Sequence, residues 1–154
     1  MTYIRWGAAL IIGGFLLFFG ATKFSGGAHI FPYIEYKATA LNFPFADLFY
    51  PFVNWATGAL EIVAGALLIL PMTRRLGAGL AVLPFLGAIG FHLSPLLGVV
   101  TPDGYAAIAP SEALVLGGPF TASDFSAASS PALFTIAAAM LVVAIVNVVL
   151  QRRA

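Results

Sequence analysis

Four stretches with almost no charged residues constrain this chain more than any other feature. A helix that crosses the hydrocarbon core of a bilayer needs about 20 mostly apolar residues. Intervals 6–22, 76–102 and 125–151 contain no Asp, Glu, Lys or Arg, and interval 48–73 contains only Glu61. These intervals predict transmembrane helices over residues 4–24, 50–71, 75–97 and 131–151.

The amino-acid composition also indicates a membrane protein. Of its 154 residues, 61% are hydrophobic and 8% are charged, whereas soluble domains carry about 25% charged residues. We therefore expect an all-α fold, a polytopic membrane four-helix bundle that forms a single membrane domain over residues 1–154. The uncharged stretch 6–22 is longer than the roughly 7–15 residues of a signal-peptide core, so we expect a retained first helix.

Charge and cysteine content exclude several classes of function. The net charge is only +1 and the basic residues are scattered, which argues against nucleic-acid binding. The chain has no cysteine, so it forms no disulfide and supplies no thiolate nucleophile or thiolate ligand. The two histidines, His29 and His92, lack the spacing of a metal motif, so we predict no metal site and keep haem ligation by this pair as a weak alternative.

Charges beside the predicted spans predict their orientation. Lys and Arg near spans prefer the cytoplasmic side. One side carries basic residues without an acid, namely Arg5, Arg74, Arg75, Arg152 and Arg153. The other side carries both signs, namely Lys23, Glu35, Lys37, Asp47, Asp103, Glu112 and Asp124. We expect both termini in the cytoplasm, outer loops over 25–49 and 98–130, and a multi-pass location in a bacterial inner (cytoplasmic) membrane.

Three ionisable side chains fall within or at the edge of the predicted spans: Lys23, Glu61 and His92. Burying such a group in hydrocarbon costs about 2.5–3.5 kcal/mol, which makes each a candidate for a functional site. At 1.5 Å per residue they lie roughly 20–27 Å above the inner helix ends, so they can meet in the outer half. Asn54 shares a helical face with Glu61, and Thr57 lies at its margin. The predicted outward-facing pocket therefore comprises Lys23, Glu61, His92, Asn54 and Thr57.

Each pocket residue also has a structural interpretation. Lys23 either extends its amine to the headgroups as an interfacial anchor or pairs with Glu61. Glu61 is either protonated or held by Lys23, His92 or Asn54. His92 is either a hydrogen-bonded packing residue or a ligand and proton carrier. No motif identifies a catalytic residue, so the chain is interpreted as a non-catalytic component.

The same residues resemble a known pattern. Gly20 to Lys23 reads Gly-x-x-Lys at the end of the first span, "EIVAGALLIL" leads into "MTRR" in the second, and His92 lies late in the third. Over roughly residues 4–97 the chain resembles the DoxX family of small bacterial four-helix membrane proteins, although the outer loop before the fourth span is longer than usual. The resemblance implies association with redox systems, since relatives include a subunit of an archaeal thiosulfate:quinone oxidoreductase and others are linked to oxidative-stress complexes.

We therefore expect an accessory subunit of a quinone-linked membrane oxidoreductase, with a quinone head group as the candidate ligand. The expected partners are the lipid bilayer and either other membrane subunits or further copies of this chain. One alternative is a small transporter in which Glu61 carries protons or a cationic solute. Another is a structural subunit packed through pairs of small residues, namely Ala9 with Gly13, Gly77 with Ala81, and Gly90 with Ser94.

Overall fold

The computed structural model describes residues 2–106 and 119–152, most of which are helical. The five helices are α1 (Thr2–Thr22), α2 (Ile30–Ala40), α3 (Asn54–Ile69), α4 (Arg74–His92) and α5 (Ala132–Arg152). Short helical turns, Ala46–Leu48 and Phe49–Val53, lead into α3. Two charges used to predict orientation, Glu112 and Arg153, lie outside the described residues.

Four helical segments are long and apolar enough to cross a membrane, which confirms the number of spans predicted from the sequence. They are Tyr3–Thr22, Ala46–Ile69, Arg74–His92 and Ala132–Arg152. The predicted bounds hold within about two residues for α1 and α5. The third predicted span, 75–97, instead ends at His92, because the residue before Pro95 disfavours helical geometry.

The second predicted span, 50–71, is also shorter as a regular α-helix. Tyr50 has an extended backbone (φ −135°, ψ 134°), so regular helix begins only at Asn54. Leu70 is likewise extended (φ −71°, ψ 127°), as expected for the residue that precedes a proline. The second span therefore begins with an irregular turn and ends before Pro71.

The two predicted outer loops form a folded cap, which we call the outer cap (α2 with residues 98–106 and 119–130). The loop predicted over 25–49 contains α2, a helix that was not predicted. The loop over 98–130 contains a two-residue antiparallel ladder, β1 (Thr101–Pro102) with β2 (Ser129–Ser130). A buried hydrophobic cluster, with four aromatic members, packs the cap against the adjacent segments: Phe31, Ile34, Tyr50, Leu97, Phe120 and Phe125.

Glycines let α1 and α3 pack backbone against backbone. The helices run antiparallel, with Gly13 against Gly65 and Gly20 against Gly58. A Cβ added at Gly65 would lie 2.8 Å from the carbonyl oxygen of Gly13, and one added at Gly20 would lie 2.9 Å from that of Gly58. Both pairs are seven residues apart along their helices, a spacing that keeps them on one face. Small residues at such a contact permit the close packing that stabilises helix pairs in membranes.

The glycines of α4 differ in their surroundings. A Cβ at Gly77 would overlap the backbone of Leu67 and Leu68, so this glycine packs α4 tightly against α3. A Cβ at Gly87 or Gly90 would have no neighbour within 4 Å. Gly77 therefore fits the packing role of the structural alternative, whereas Gly87 and Gly90 have no close contact with another helix.

The two ends of the bundle differ in charge. Where α1 begins and α3 ends, Arg74 donates from Nε to the Leu68 carbonyl and from Nη2 to the Ile69 carbonyl, each at 3.1 Å. Its guanidinium lies 3.5 Å from the centre of the Trp6 ring. We call this the arginine end, because its described charges are Arg5, Arg74, Arg75 and Arg152. The outer end is the opposite one, where the outer cap lies.

Glu35 of α2 is buried in the outer cap, with 7% of its surface exposed. Its Oε2 has no hydrogen-bond partner among the described residues. Burial raises the pKa of Glu35 to about 7; the Asp47 charge adds to the rise, and a hydrogen bond from the Tyr50 backbone opposes it. The folded cap thus favours the neutral carboxyl.

We expect Gly65→Ala and Gly79→Ala to change stability in opposite directions. The first should lower the free energy of unfolding by about 1–3 kcal/mol, because its methyl group meets the α1 backbone. The second has open space around its Cβ and should raise it by up to about 1 kcal/mol, the helix preference of Ala over Gly. Thermal unfolding in one detergent measures both. Equal shifts would contradict the close α1–α3 packing.

We also expect Glu35 to make stability depend on pH. A carboxyl whose folded-state pKa lies above its unfolded value stabilises the fold fully at low pH and loses that contribution as pH rises through about 7. The unfolding temperature should therefore fall between about pH 5 and about pH 8, and Glu35→Gln should reduce the fall. Thermal unfolding at the two pH values measures this. An unchanged fall in the variant would assign the pH dependence to other groups.

Candidate functional site

An ion pair joins α1 to α3 at the outer end. Lys23, the residue after α1, donates from Nζ to Oε2 of Glu61 at 2.5 Å. The two side chains are only 13% and 12% exposed. The Gly20–Gly58 contact positions them, since a Cβ at Gly58 would lie 3.1 Å from the Lys23 Cβ. Of the alternatives open for Lys23 and Glu61, the structure has the paired arrangement.

Asn54 fixes the end of α1 beside this pair. It is the first residue of α3 and is almost fully buried. Its Nδ2 donates to the Lys23 carbonyl oxygen at 2.8 Å. Asn54 therefore positions the Lys23 backbone and does not contact the charged groups through a recorded hydrogen bond.

One histidine links the bundle to the outer cap, and the other links two segments of the cap. His92 ends α4, and its Nδ1 lies 2.7 Å from the Gly98 carbonyl oxygen. His29 precedes α2, and its Nε2 lies 2.8 Å from the Pro102 carbonyl oxygen. Burial lowers the pKa of His29, opposed by the Pro102 hydrogen bond and the Asp103 charge. The sequence predicts His29 only as an alternative haem ligand, because its place in the lining of the same cavity as His92 depends on the fold of the cap.

A cavity of about 450 Å³ lies between the helices and the outer cap. Its walls are largely apolar and include six phenylalanines: Phe15, Phe18, Phe19, Phe31, Phe85 and Phe91. Its polar side chains are Thr22, Lys23, His29, Thr57, Glu61 and His92. Four of the five predicted pocket residues therefore line one cavity, and the fifth, Asn54, lies behind it.

The cavity is open at the side and closed towards the arginine end. Three residues at its rim are exposed on the outer surface of the helices: Phe18 (64%), Ile136 (40%) and Gly87. α1 contacts α5 much less than it contacts α3, which leaves room for this opening. Below the ion pair, a fully buried apolar layer of Ile12, Leu16, Ala64 and Leu68 fills the bundle.

The donor set of the cavity suits hydrogen bonding to a ligand better than coordination of a metal. Among residues 2–106 and 119–152, no three His, Asp or Glu side chains lie close enough together to hold a metal ion. His92 and Glu61 line the same cavity without a recorded hydrogen bond to each other. The arrangement offers one ammonium, one carboxylate and two imidazoles to a molecule bound among aromatic rings.

Comparison with known proteins adds no further identification. No protein-family model, no curated protein and no solved structure matches the chain. The resemblance to the DoxX family thus stays a prediction that depends on the residues quoted for it.

We expect the ion pair to show energetic coupling between Lys23 and Glu61. Lys23→Met and Glu61→Gln should each lower the free energy of unfolding, by up to about 3–5 kcal/mol, because each leaves one charge buried without its partner. The double variant should cost less than the sum of the two, by about 0.5–3 kcal/mol. Chemical or thermal unfolding of the four proteins measures the coupling.

Lys37→Met is the matched control for this cycle. It removes the same charge from α2, where no ion pair involves Lys37 within the described parts of the chain. Its effect should stay within about 0.5 kcal/mol. Strict additivity of the Lys23 and Glu61 substitutions would contradict a stabilising pair.

Proposed function

We propose that the protein is a multi-pass membrane protein of the bacterial inner membrane, with both termini cytoplasmic. In this proposal it is an accessory subunit of a quinone-linked oxidoreductase and binds a quinone-type head group in its cavity. The observation that carries the proposal is the cavity itself, in which an ion pair and two histidines lie beside six phenylalanines and other apolar residues.

The size and lining of the cavity suit a flat aromatic ligand. A volume of about 450 Å³ lies within the roughly 300–1,000 Å³ that is usual for small-molecule sites. Phenylalanine rings offer stacked or edge-on contacts to a planar ring. The few polar groups lie together near the outer end, as in a site that fixes the orientation of a largely apolar molecule.

The side opening supports access from the lipid phase. Phe18, Gly87 and Ile136 lie at the rim and also on helices long and apolar enough to span a bilayer. A ligand with an apolar tail can place its head group near Lys23 and Glu61 while its tail stays among acyl chains. This geometry favours a lipid-soluble ligand over a water-soluble one.

The accessory role depends on the DoxX resemblance and on the amino-acid content. The chain has no cysteine, so a thiol relay in such a complex belongs to another subunit. The partners in this proposal are lipid and either other membrane subunits or further copies of the chain. The long outer cap offers them a folded surface away from the membrane.

Ligand binding is favoured over the transport alternative by the packing below the site. Ile12, Leu16 and Leu68 are buried between the ion pair and the arginine end. A proton or cation path through one copy of the chain has to cross this apolar layer. Proteoliposome flux that depends on Glu61 would favour the transporter over the binding subunit.

We expect Gly87→Leu to block ligand binding and Gly90→Leu to leave it unchanged. Gly87 lines the cavity, and a side chain there meets no backbone, so leucine should fill ligand space without distorting α4. The affinity for a short-chain quinone analogue should fall about tenfold or more. Gly90 has equally open surroundings but does not line the cavity.

Calorimetric titration of the full chain in lipid nanodiscs measures these affinities. The wild-type protein and Gly90→Leu should bind alike. Equal affinity of Gly87→Leu would place the ligand elsewhere, and a wild-type protein that does not bind quinone analogues would overturn the proposed ligand. Glu61→Gln and Lys23→Met should also weaken binding, and unchanged affinity in both would remove the ion pair from the site.

A further inference from the structure

The directions of the hydrogen bonds around the cavity narrow the class of ligand. A carbonyl oxygen only accepts, so the ring nitrogen of His92 beside the Gly98 oxygen, Nδ1, must carry the hydrogen. In its neutral form an imidazole has only one N–H. When His92 is neutral, its Nε2 therefore has a lone pair that can accept a hydrogen bond. His29 is the mirror case, with the hydrogen on Nε2 towards Pro102 and a lone pair on Nδ1.

The hydroxyl groups of the two threonines that line the cavity donate their hydrogen bonds to backbone carbonyl oxygens. Thr22 donates from Oγ1 to the Phe19 carbonyl oxygen at 2.8 Å. Thr57 donates from Oγ1 to the Asn54 carbonyl oxygen at 3.0 Å. Both residues line the cavity, and each hydroxyl oxygen keeps its acceptor lone pairs.

The ion pair adds one further acceptor group and the lone strong donor. The Glu61 carboxylate accepts from Lys23 at Oε2 and leaves Oε1 as an acceptor. Lys23 has already directed one N–H to Glu61, and its Nζ lies 5.9 Å from the centre of the Phe31 ring. Five side chains thus offer acceptors to the cavity, and one cationic group offers donors.

We propose that the cavity selects ligands that donate hydrogen bonds, so that it binds the reduced, dihydroxy form of a quinone in preference to the oxidised form. This inference rests on the proposed function, which supplies the quinone-type ligand, and it specifies which redox form the site holds. Each hydroxyl of a quinol finds a lone pair on histidine, threonine or Glu61. The oxygens of a quinone are acceptors, and among the described side chains that line the cavity only Lys23 has hydrogens left to donate to them.

The size of the preference follows from the number of unmatched groups. A hydrogen bond between neutral groups changes a binding constant by about 2–12-fold. Where a quinone oxygen lies against an acceptor of the protein, neither atom carries a hydrogen, so this hydrogen bond does not form. Two such mismatches, each near the middle of that range, give the quinol an advantage of about tenfold or more over the quinone.

Competitive titration of the full chain in nanodiscs under anaerobic conditions tests the preference. The probes are a short-chain ubiquinol analogue, its oxidised quinone, and the dimethyl ether of the quinol, which keeps the ring and its other substituents but carries a methyl group in place of each hydroxyl hydrogen. The quinol should bind about tenfold more tightly than either of the other two. Equal or tighter binding of the quinone would overturn the inference while leaving quinone-type binding in place. If none of the three probes binds, the proposed function fails as well.

Two variants test whether cavity acceptors cause the preference. Thr57→Val removes a lone pair at nearly constant volume and should reduce the quinol advantage to about threefold or less. His92→Phe should do the same, and Thr57→Val keeps the test decisive if the histidine variant does not fold. Thr135→Val is the matched control, because Thr135 makes the same type of backbone hydrogen bond on the exposed face of α5. A quinol advantage that survives both cavity substitutions would overturn the assignment.

Discussion

The backbone contact between α1 and α3 is the constraint on which the candidate site depends. Apolar side chains gain little by leaving lipid for a helix interface, so close packing and polar contacts must stabilise helix pairs there. The pairs Gly13–Gly65 and Gly20–Gly58 provide the packing, and the ion pair one turn further on provides the polar contact. A larger residue at the glycines would separate the two charges, leaving each to face an apolar environment alone.

The outer cap determines what kind of site the ion pair becomes. His92 links α4 to the cap through the Gly98 carbonyl oxygen, and His29 links the start of α2 to Pro102 within the cap. These hydrogen bonds hold the cap over the end of the cavity and also decide which ring nitrogens remain for a ligand. The cap thus determines which histidine nitrogens remain for a ligand, whereas the side opening depends on the limited contact between α1 and α5.

The sequence predicts the four long apolar helices of this molecule better than it predicts the structure of the outer cap. Charge-free length marks the spans, because hydrocarbon excludes charge, and helical rise places Lys23, Glu61 and His92 at one end. Charge-free length does not identify helix α2, because this helix is too short to span a bilayer and contains a proline and two charged residues. The spacing of its buried residues Phe31, Ile34 and Ala38 is a helical signal that was present. Hydrogen-bond direction and the place of Asn54 depend on tertiary contacts that no local pattern contains.

The account depends most on the contact between the Lys23 ammonium and the Glu61 carboxylate. Solid-state NMR of the full chain in lipid bilayers can measure the dipolar coupling between a ¹⁵N-labelled lysine Nζ and the ¹³C-labelled glutamate Cδ. The account predicts one strong coupling at hydrogen-bond distance, which disappears in Lys23→Met and persists in Lys37→Met. A Lys23 signal without any carboxylate coupling would contradict the account, because Glu61 would then lack the partner that holds the site together.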